Sequence, residues 1–289
     1  MSFGLEYYPG VTAEELQRCT EACRNAGGRF IAAHIRSCAE EVFDAEREIL
    51  EAGRKAGISV QLSHVGSMAA YGQMREFLEI MDSYRQSGTD VYGDCYPYSA
   101  FCTYIGSAPY DDLEKIHCSY EDIIMCEGEY RGQRCTKEIF EKERREHPGY
   151  LSAGEVMDRD DVLLALRHPS VMLCSDLTLS HGDGHPRASG AFPRFISRYV
   201  DSCAISLYDA VYKMTALPAK RLGLEAKGSL APCCDADVVV FDPERISDRA
   251  DFLNPLLDPE GIEYVLVNGN IALQSGNPSI VKFGRAIRR

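Results

Sequence analysis

The sequence predicts an α/β protein, a run of parallel strands alternating with helices, followed by a small β domain. Three observations carry this reading. Short apolar segments alternate with longer segments of helical period. The apolar segments show no polar face, as strands covered by helices on both sides require. From about residue 226 onward the pattern changes to short strands set between turn signals. The 289 residues are 45% hydrophobic, enough for a sizeable core.

The elements follow in chain order. In "TAEELQRCTEACRNAGG" Thr12 and Glu15 have capping-box spacing, and Gly27–Gly28 stops the helix. "RFIAAH" is a strand. "AEEVFDAEREILEAGRKAG" places Val42, Ala45, Ile49 and Ala52 on one helical face and ends at Gly57. "ISVQLSH" is the next strand, "QMREFLEIMDSYRQSG" a helix, and "TDVYGDCYPYSA" a strand with its outgoing loop. Further on, "DRDDVLLALRH" is a helix and "SVMLCSD" a strand. Such strand–helix units fit either a doubly wound sheet or part of a (β/α)8 barrel. Residues 103–155 are rich in charge and cysteine and have no clean period. They are expected to form a long excursion above the sheet. In the tail, "SLYDAVYKMTALPAKRLGL" is helical, "DADVVVFDP" is a short strand, and "GIEYVLVNGNIALQSG" is a hairpin turning at its NGN. The expected domains are 1–225 and 226–289.

Charge and composition narrow the function. A formal net charge of −13 argues against a nucleic-acid grip or binding to an anionic membrane. No apolar run reaches the ~20 residues of a membrane span. "MSFGLEYYPG" shows no secretory signal, so a cytoplasmic protein is expected. The 12 cysteines are scattered without a CxxC pair, and most are expected to be free thiols.

Three polar residues end predicted strands: His34, His64 and Asp176. In parallel sheets the carboxyl ends of strands face the site. Two imidazoles and a carboxylate converging there suit zinc chemistry, the carboxylate as ligand or as general base. The same residues also suit structural strand ends and a helix cap. Arg36, two residues after His34, fits a salt bridge at the sheet edge as well as a site role. Cys174 fits the core, and His181 and His185 fit a loop.

"AAHIRS", "SVQLSH", "DCYPYSA", "CSDLTLSHGDGHPRASGAFPRFISRYV", "LYDAVYKMTALPAKRLGL", "GSLAPCCDADVVVFDP" and "GRAIRR", in this order, resemble the D-aminoacylase (N-acyl-D-amino-acid deacylase) family of amidohydrolases. "SFGLEYYPG" resembles its GLxY segment. The resemblance spans nearly the whole chain and is weakest at 103–155. It implies the C-terminal half of a (β/α)8 metal-dependent hydrolase barrel, strands five to eight, plus the C-terminal strands of a small β-sandwich. It implies Zn2+ as cofactor, with His34 and His64 as ligands on the fifth and sixth strands. It makes Asp176, on the eighth, the base that activates water and passes the proton to the leaving amine. Arg187 would pair with the substrate α-carboxylate, and Tyr96 and Tyr7 would contact substrate. Cys102 stands where the family often has serine, and a thiol is the weaker donor there. The implied substrate is a small-molecule N-acyl-D-amino acid.

The sequence contains no HxH pair, and the family's early metal-ligating cysteine is also missing. Two histidines and an aspartate fall short of a well-held zinc site. The chain is therefore expected to be a truncated or split form that needs an upstream half or self-association. The alternatives are a catalytically inactive half-barrel and a dihydroorotase-like cyclic amide hydrolase, the latter disfavoured by the "HPR" block.

Overall fold

A computed structural model describes residues 1–200 and 205–287. Cys203 and the last two residues of "GRAIRR" lie outside the described residues. The chain divides into two compact units, 1–188 with 251–255, and 189–250 with 256–289.

The first unit is built on one parallel sheet. Its strands are β1 (Ser2–Gly4), β2 (Phe30–His34), β3 (Ser59–Leu62), β4 (Val91–Cys95) and β8 (Val171–Leu173), in that spatial order. The register aligns Gly4 with His34, Ala33 with Leu62, Leu62 with Gly93, and Cys95 with Leu173. Ile31, Ala33, Val60, Val91 and Val171 are fully buried, which is why these strands read as continuous apolar runs. β1, too short to register as a strand from sequence, extends the sheet past β2.

The connecting helices start and stop as their sequences direct. α1 (Ala13–Asn25) opens on a capping box: Thr12 Oγ1 accepts from the Glu15 N–H, and Glu15 Oε2 accepts from the Thr12 N–H. α2 (Val42–Ala56) buries Val42, Ala45, Ile49 and Ala52 and ends at Gly57, whose φ of 65° suits glycine. The short α3 (Val65–Ala69) follows β3, and α4 (Met74–Gln86) leads to β4. Between β4 and β8 the chain makes its excursion. Contrary to the absence of period in the sequence, the excursion has its own antiparallel sheet, order β5-β7-β6: β5 (Phe101–Tyr104), β6 (Ile123–Met125) and β7 (Leu151–Gly154). Strands this short cannot display a clear alternation. α5 (Lys137–Glu146) joins β6 to β7, and α6 (Arg159–Arg167) precedes β8. A two-stranded ribbon, β9 (Leu179–Ser180) with β10 (Asp183–Gly184), then leads to α7 (Arg187–Phe195).

In the second unit α8 (Leu207–Met214) and α9 (Ala216–Leu222) precede an antiparallel sheet. Its strands are β11 (Val238–Phe241), β12 (Ile262–Val267), β13 (Asn270–Gln274) and β14 (Asn277–Pro278). The expected hairpin is present. Val267 pairs with Asn270, and the turn residues Asn268 and Gly269 have φ of 50° and 77°. A two-residue turn with both φ positive matches the strand twist. Among the described residues no helix is long and apolar enough to cross a membrane, and the described cysteines are free thiols.

One core residue breaks the pattern. Glu46 on α2 is 0% exposed, and neither carboxylate oxygen has a hydrogen-bond partner among the described residues. Burial raises its pKa well above the usual glutamate value, with nearby Glu76 adding to the shift and Arg47 opposing it. The folded state thus holds this proton more tightly than the unfolded chain. Its stability contribution is full below the ordinary glutamate pKa and is lost as pH rises through the raised value. Glu46→Leu is expected to stabilise the protein by about 1–3 kcal/mol at neutral pH. The urea midpoint of the parent should fall more than that of the variant as pH rises above the ordinary glutamate range.

Candidate metal and substrate site

Because the sheet is parallel, the chain leaves every strand at the same edge. His34 is the last residue of β2. His64 lies two residues beyond β3, Asp176 three beyond β8, and Glu6 two beyond β1. All four line a cavity of about 450 Å3.

The two imidazoles meet there, His34 Nδ1 lying 3.2 Å from His64 Nε2. On its other side His34 Nε2 is 2.6 Å from Glu6 Oε2 and donates to that carboxylate. Glu6 Oε1 accepts in turn from the Cys38 thiol at 3.3 Å. The His64 backbone has φ of 35°, and its N–H donates to Asp94 Oδ1 at 2.7 Å. Gln61 Nε2 donates to the second Asp94 oxygen, so β4 braces the turn that presents His64. Ser67 Oγ lies 2.8 Å from His64 Nδ1 and 2.9 Å from the His64 carbonyl. Burial lowers the His64 pKa, with the neighbouring His34 adding to the effect and Asp176 opposing it. The neutral ring is the form that binds metal.

In the neutral ring, a proton on Nε2 toward Glu6 leaves His34 Nδ1 bare. The His64 nitrogen facing it admits two arrangements. If the Ser67 hydroxyl donates to His64 Nδ1, then His64 Nε2–H donates to His34. If that hydroxyl donates to the His64 carbonyl, His64 Nδ1–H donates to Ser67 Oγ, and the two facing nitrogens are both bare. Two lone pairs at 3.2 Å repel unless a cation lies between them. The separation matches that of two ligands on a tetrahedral zinc, about 3.3 Å for bonds of ~2.0–2.1 Å. The pair therefore fits two metal-ligand positions. Among the described residues no group of three or more histidine, cysteine or acidic side chains could hold a metal. Cys38, bonded to Glu6, does not complete the set.

The other end of the site is cationic. Arg187 opens α7 and is 1% exposed. Its Nη2 donates to Asp176 Oδ2 at 2.8 Å, and its guanidinium stacks 4.4 Å from the Tyr96 ring centre. Nε and Nη1 are buried and have no partner among the described residues. His185 Nδ1 accepts from the Arg187 backbone N–H at 3.0 Å, and its ring packs edge-on to Tyr98 and Phe252. His185 thus supports the start of α7 and is not among the residues that line the cavity.

The other residues singled out from sequence divide. Tyr7 lines the cavity; its hydroxyl is 3.2 Å from Thr103 Oγ1, and burial raises its pKa to about 12, keeping the phenol protonated. Tyr96 also lines the cavity, but its hydroxyl donates to Met157 Sδ and its ring serves as the bed for Arg187. Cys102 lines the cavity with its thiol pKa lowered, chiefly by a hydrogen bond from Cys126 working against burial. Arg36 is held by Glu48 in two hydrogen bonds of 2.7 and 2.9 Å and takes no part in the cavity lining. His181 is exposed. Glu6 escaped the sequence reading. Only its place inside the GLxY segment pointed to it.

Comparison with known proteins follows the same line. Residues 142–273 match the sequence model of the Amidohydrolase family. Among whole proteins the similarity is to ones named for deacylating N-acyl-D-amino acids. The chain is 35% identical to an N-acyl-D-glutamate deacylase of Alcaligenes xylosoxydans xylosoxydans, covering 100% of itself and 60% of that protein. It is 32% identical to a D-aminoacylase of the same organism, over 91% of the chain and 56% of the relative. Its fold superposes on a crystal structure of the N-acyl-D-glutamate deacylase from Bordetella bronchiseptica, complexed with zinc and a phosphonate inhibitor. There the TM-score is 0.82 and the identity 32%, covering 96% of this chain and 61% of that one. The chain is thus similar to proteins named as N-acyl-D-amino-acid deacylases and spans about 60% of the length of those it matches.

The short Glu6–His34 contact generates a prediction. Glu6→Gln removes the charged acceptor that selects the Nε2–H form of His34. Zinc affinity, read by competition with a chromophoric chelator, is expected to fall about 10–100-fold. Nitrogen-15 NMR should show His34 losing its single tautomer while far-UV circular dichroism stays unchanged.

Proposed function

We propose that the protein takes part in zinc-dependent hydrolysis of the amide bond of N-acyl-D-amino acids, its parallel sheet forming a segment of a (β/α)8 barrel. The observation that carries this reading is the placement, in one cavity, of an imidazole pair spaced for a metal and a buried guanidinium with two unpartnered nitrogens. His34 and His64 would hold the ion, the remaining donors coming from polypeptide outside these residues. When bound, zinc supplies Lewis-acid chemistry, polarising the acyl carbonyl and making water a better nucleophile at neutral pH.

The chain's own residues do the rest. Arg187 receives the substrate α-carboxylate on an unpartnered nitrogen of its guanidinium, whose Nη2 is held by Asp176. This anchors one end of the substrate, so the scissile amide lies toward the histidines. Asp176, oriented by Arg187 Nη2, takes the proton from the attacking water and delivers it to the leaving amine nitrogen. Glu6 holds His34 in place, and Tyr7 lies against the His34 ring at 4.6 Å.

The short donor set favours a second reading for the chain taken alone: it folds, requires a partner segment to complete the metal site, and catalyses nothing without it. One experiment addresses both. Zinc content and release of free amine from N-acetyl-D-amino acids are measured for the chain alone and for the chain reconstituted with the N-terminal segment of a relative. Hydrolysis confined to D-substrates in the reconstituted protein is expected. Asp176→Asn should lower kcat by about 10²–10⁴-fold with zinc content retained. A zinc-loaded, folded complex that releases no amine would refute the proposal.

A further inference from the structure

A cluster of side chains outside the cavity lining meets the start of α7. It is built on a short return of the chain: residues 251–255 belong to the first compact unit, while the residues on either side of them belong to the second. The segment supports itself through an Asx turn, Asp251 Oδ1 accepting from the Leu253 N–H at 2.9 Å and the Asn254 N–H at 2.6 Å. Phe252 packs on the buried cluster of Ala100, Cys126, Leu151 and Ala153. Its ring also lies edge-on to His185, 5.1 Å between centres, and Tyr98 meets the same imidazole at 5.0 Å and 89°. Leu253 lies over Gly132, where a Cβ would come within 2.4 Å of Leu253 Cδ2. Arg131 donates to the Leu253 carbonyl and pairs with Asp183, on the strand that leads to His185. The return segment therefore holds the turn into α7 at two points, the His185 ring and the Arg131–Asp183 pair.

His185 passes that hold to Arg187. It is 1% exposed, and its Nδ1 accepts from the Arg187 backbone N–H at 3.0 Å. Asparagine and aspartate commonly make this bond, from a side chain to the N–H two residues on, at turns and helix starts. An accepting Nδ1 places the proton of the neutral ring on Nε2. An imidazole directs the N–H only while its ring plane is fixed, and edge-on aromatic contacts favour one plane over others. We propose that Phe252 is a positioning residue for Arg187: it fixes the His185 ring, which holds the backbone at the start of α7 and so aims the guanidinium. The inference rests on the reading of Arg187 as the α-carboxylate partner. Asp176 and Tyr96 hold the head of Arg187, and His185 holds its backbone. A long side chain fixed at both ends has little rotamer freedom left to lose when a ligand binds.

The test is nitrogen-15 NMR on the full 289-residue chain, following the Arg187 Nε–H and the His185 ring nitrogens. The probes are N-acetyl-D-alanine and its amide, which lacks the carboxylate. In the parent, His185 should show the Nε2–H tautomer, and Arg187 should respond to N-acetyl-D-alanine and not to the amide. Phe252→Leu keeps apolar volume and removes the ring. It is expected to mix the His185 tautomers, shift the Arg187 signal and weaken N-acetyl-D-alanine binding about 3–10-fold. Phe252→Tyr should restore all three. His185→Asn keeps an acceptor for the Arg187 N–H without a ring to orient. In that background Phe252→Leu should change binding by less than about two-fold, because effects routed through one residue do not add. Should Phe252→Leu not fold, Phe252→Met removes the ring more gently and takes its place. A Phe252 effect of full size in the His185→Asn background shows a packing role alone and overturns the proposal. So does a Phe252 variant that lowers thermal stability and leaves the His185 and Arg187 signals unchanged. An Arg187 signal in the parent that ignores N-acetyl-D-alanine overturns the carboxylate reading instead, and the ligand-free signals still decide the positioning.

Discussion

Parallel hydrogen bonding from β1 to β8 is the constraint on which the site depends. Each strand runs the same way, so each delivers the residue after its end to one edge. The register then decides how far along that edge the residue falls. Pairing Gly4 with His34 and Ala33 with Leu62 sets His34 in contact with both Glu6 and His64. A slip of one residue in β2 would turn His34 to the opposite face and Ile35 inward. The buried apolar residues of the strands prevent that slip. The same positions that make the core therefore set the distance between the imidazoles.

The cavity carries two complementary deficits. At one end, one proton arrangement of the imidazoles leaves two bare nitrogens facing each other, a place that favours a cation. At the other, Arg187 is buried with Nε and Nη1 unmet, a place that favours an anion. Burying a guanidinium is costly. The ion pair with Asp176 and the stack on Tyr96 offset part of that cost, and the unmet groups leave the remainder for a ligand to relieve. An N-acyl amino acid has a carbonyl for the first end and a carboxylate for the second. The proposed function follows from this matching of polarity more than from any single residue.

Much of this was legible in the sequence because it depends on local rules. The ends of β2 and β3 were visible as apolar runs halted by histidine. The Thr12–Glu15 capping box, the Gly57 stop and the Asn268–Gly269 turn each depend on contacts within a few residues. What escaped depends on partners far apart. Glu6 is an ordinary glutamate until β1 pairs with β2 and sets it beside His34, 28 residues on. Tyr96 had the right neighbourhood, but its ring rather than its hydroxyl meets the site, because Arg187, far along the chain, lies over the ring face. The excursion concealed its sheet because strands of three or four residues give too few alternations to read.

Backbone conformation adds an independent argument about which residues the fold is built to hold. His64 and Asp176 are both non-glycine residues in the left-handed region, with φ of 35° and 46°. Each such residue costs of order 1 kcal/mol or more and persists only where its surroundings over-determine it. Left-handed φ alone does not mark a site, since Ala39, His117 and His181 share it. What sets the first two apart is how they are anchored. Asp94, itself held by Gln61, takes the His64 N–H, and the buried Arg187 takes the Asp176 carboxylate. Both anchors come from other strands or from α7, so the strain is offset by long-range structure rather than by the loop itself. A fold that needed these positions only as turns would place glycine there, as it does at Gly57. Holding an imidazole and a carboxylate in a conformation they resist makes sense where the side chains themselves are needed at those points.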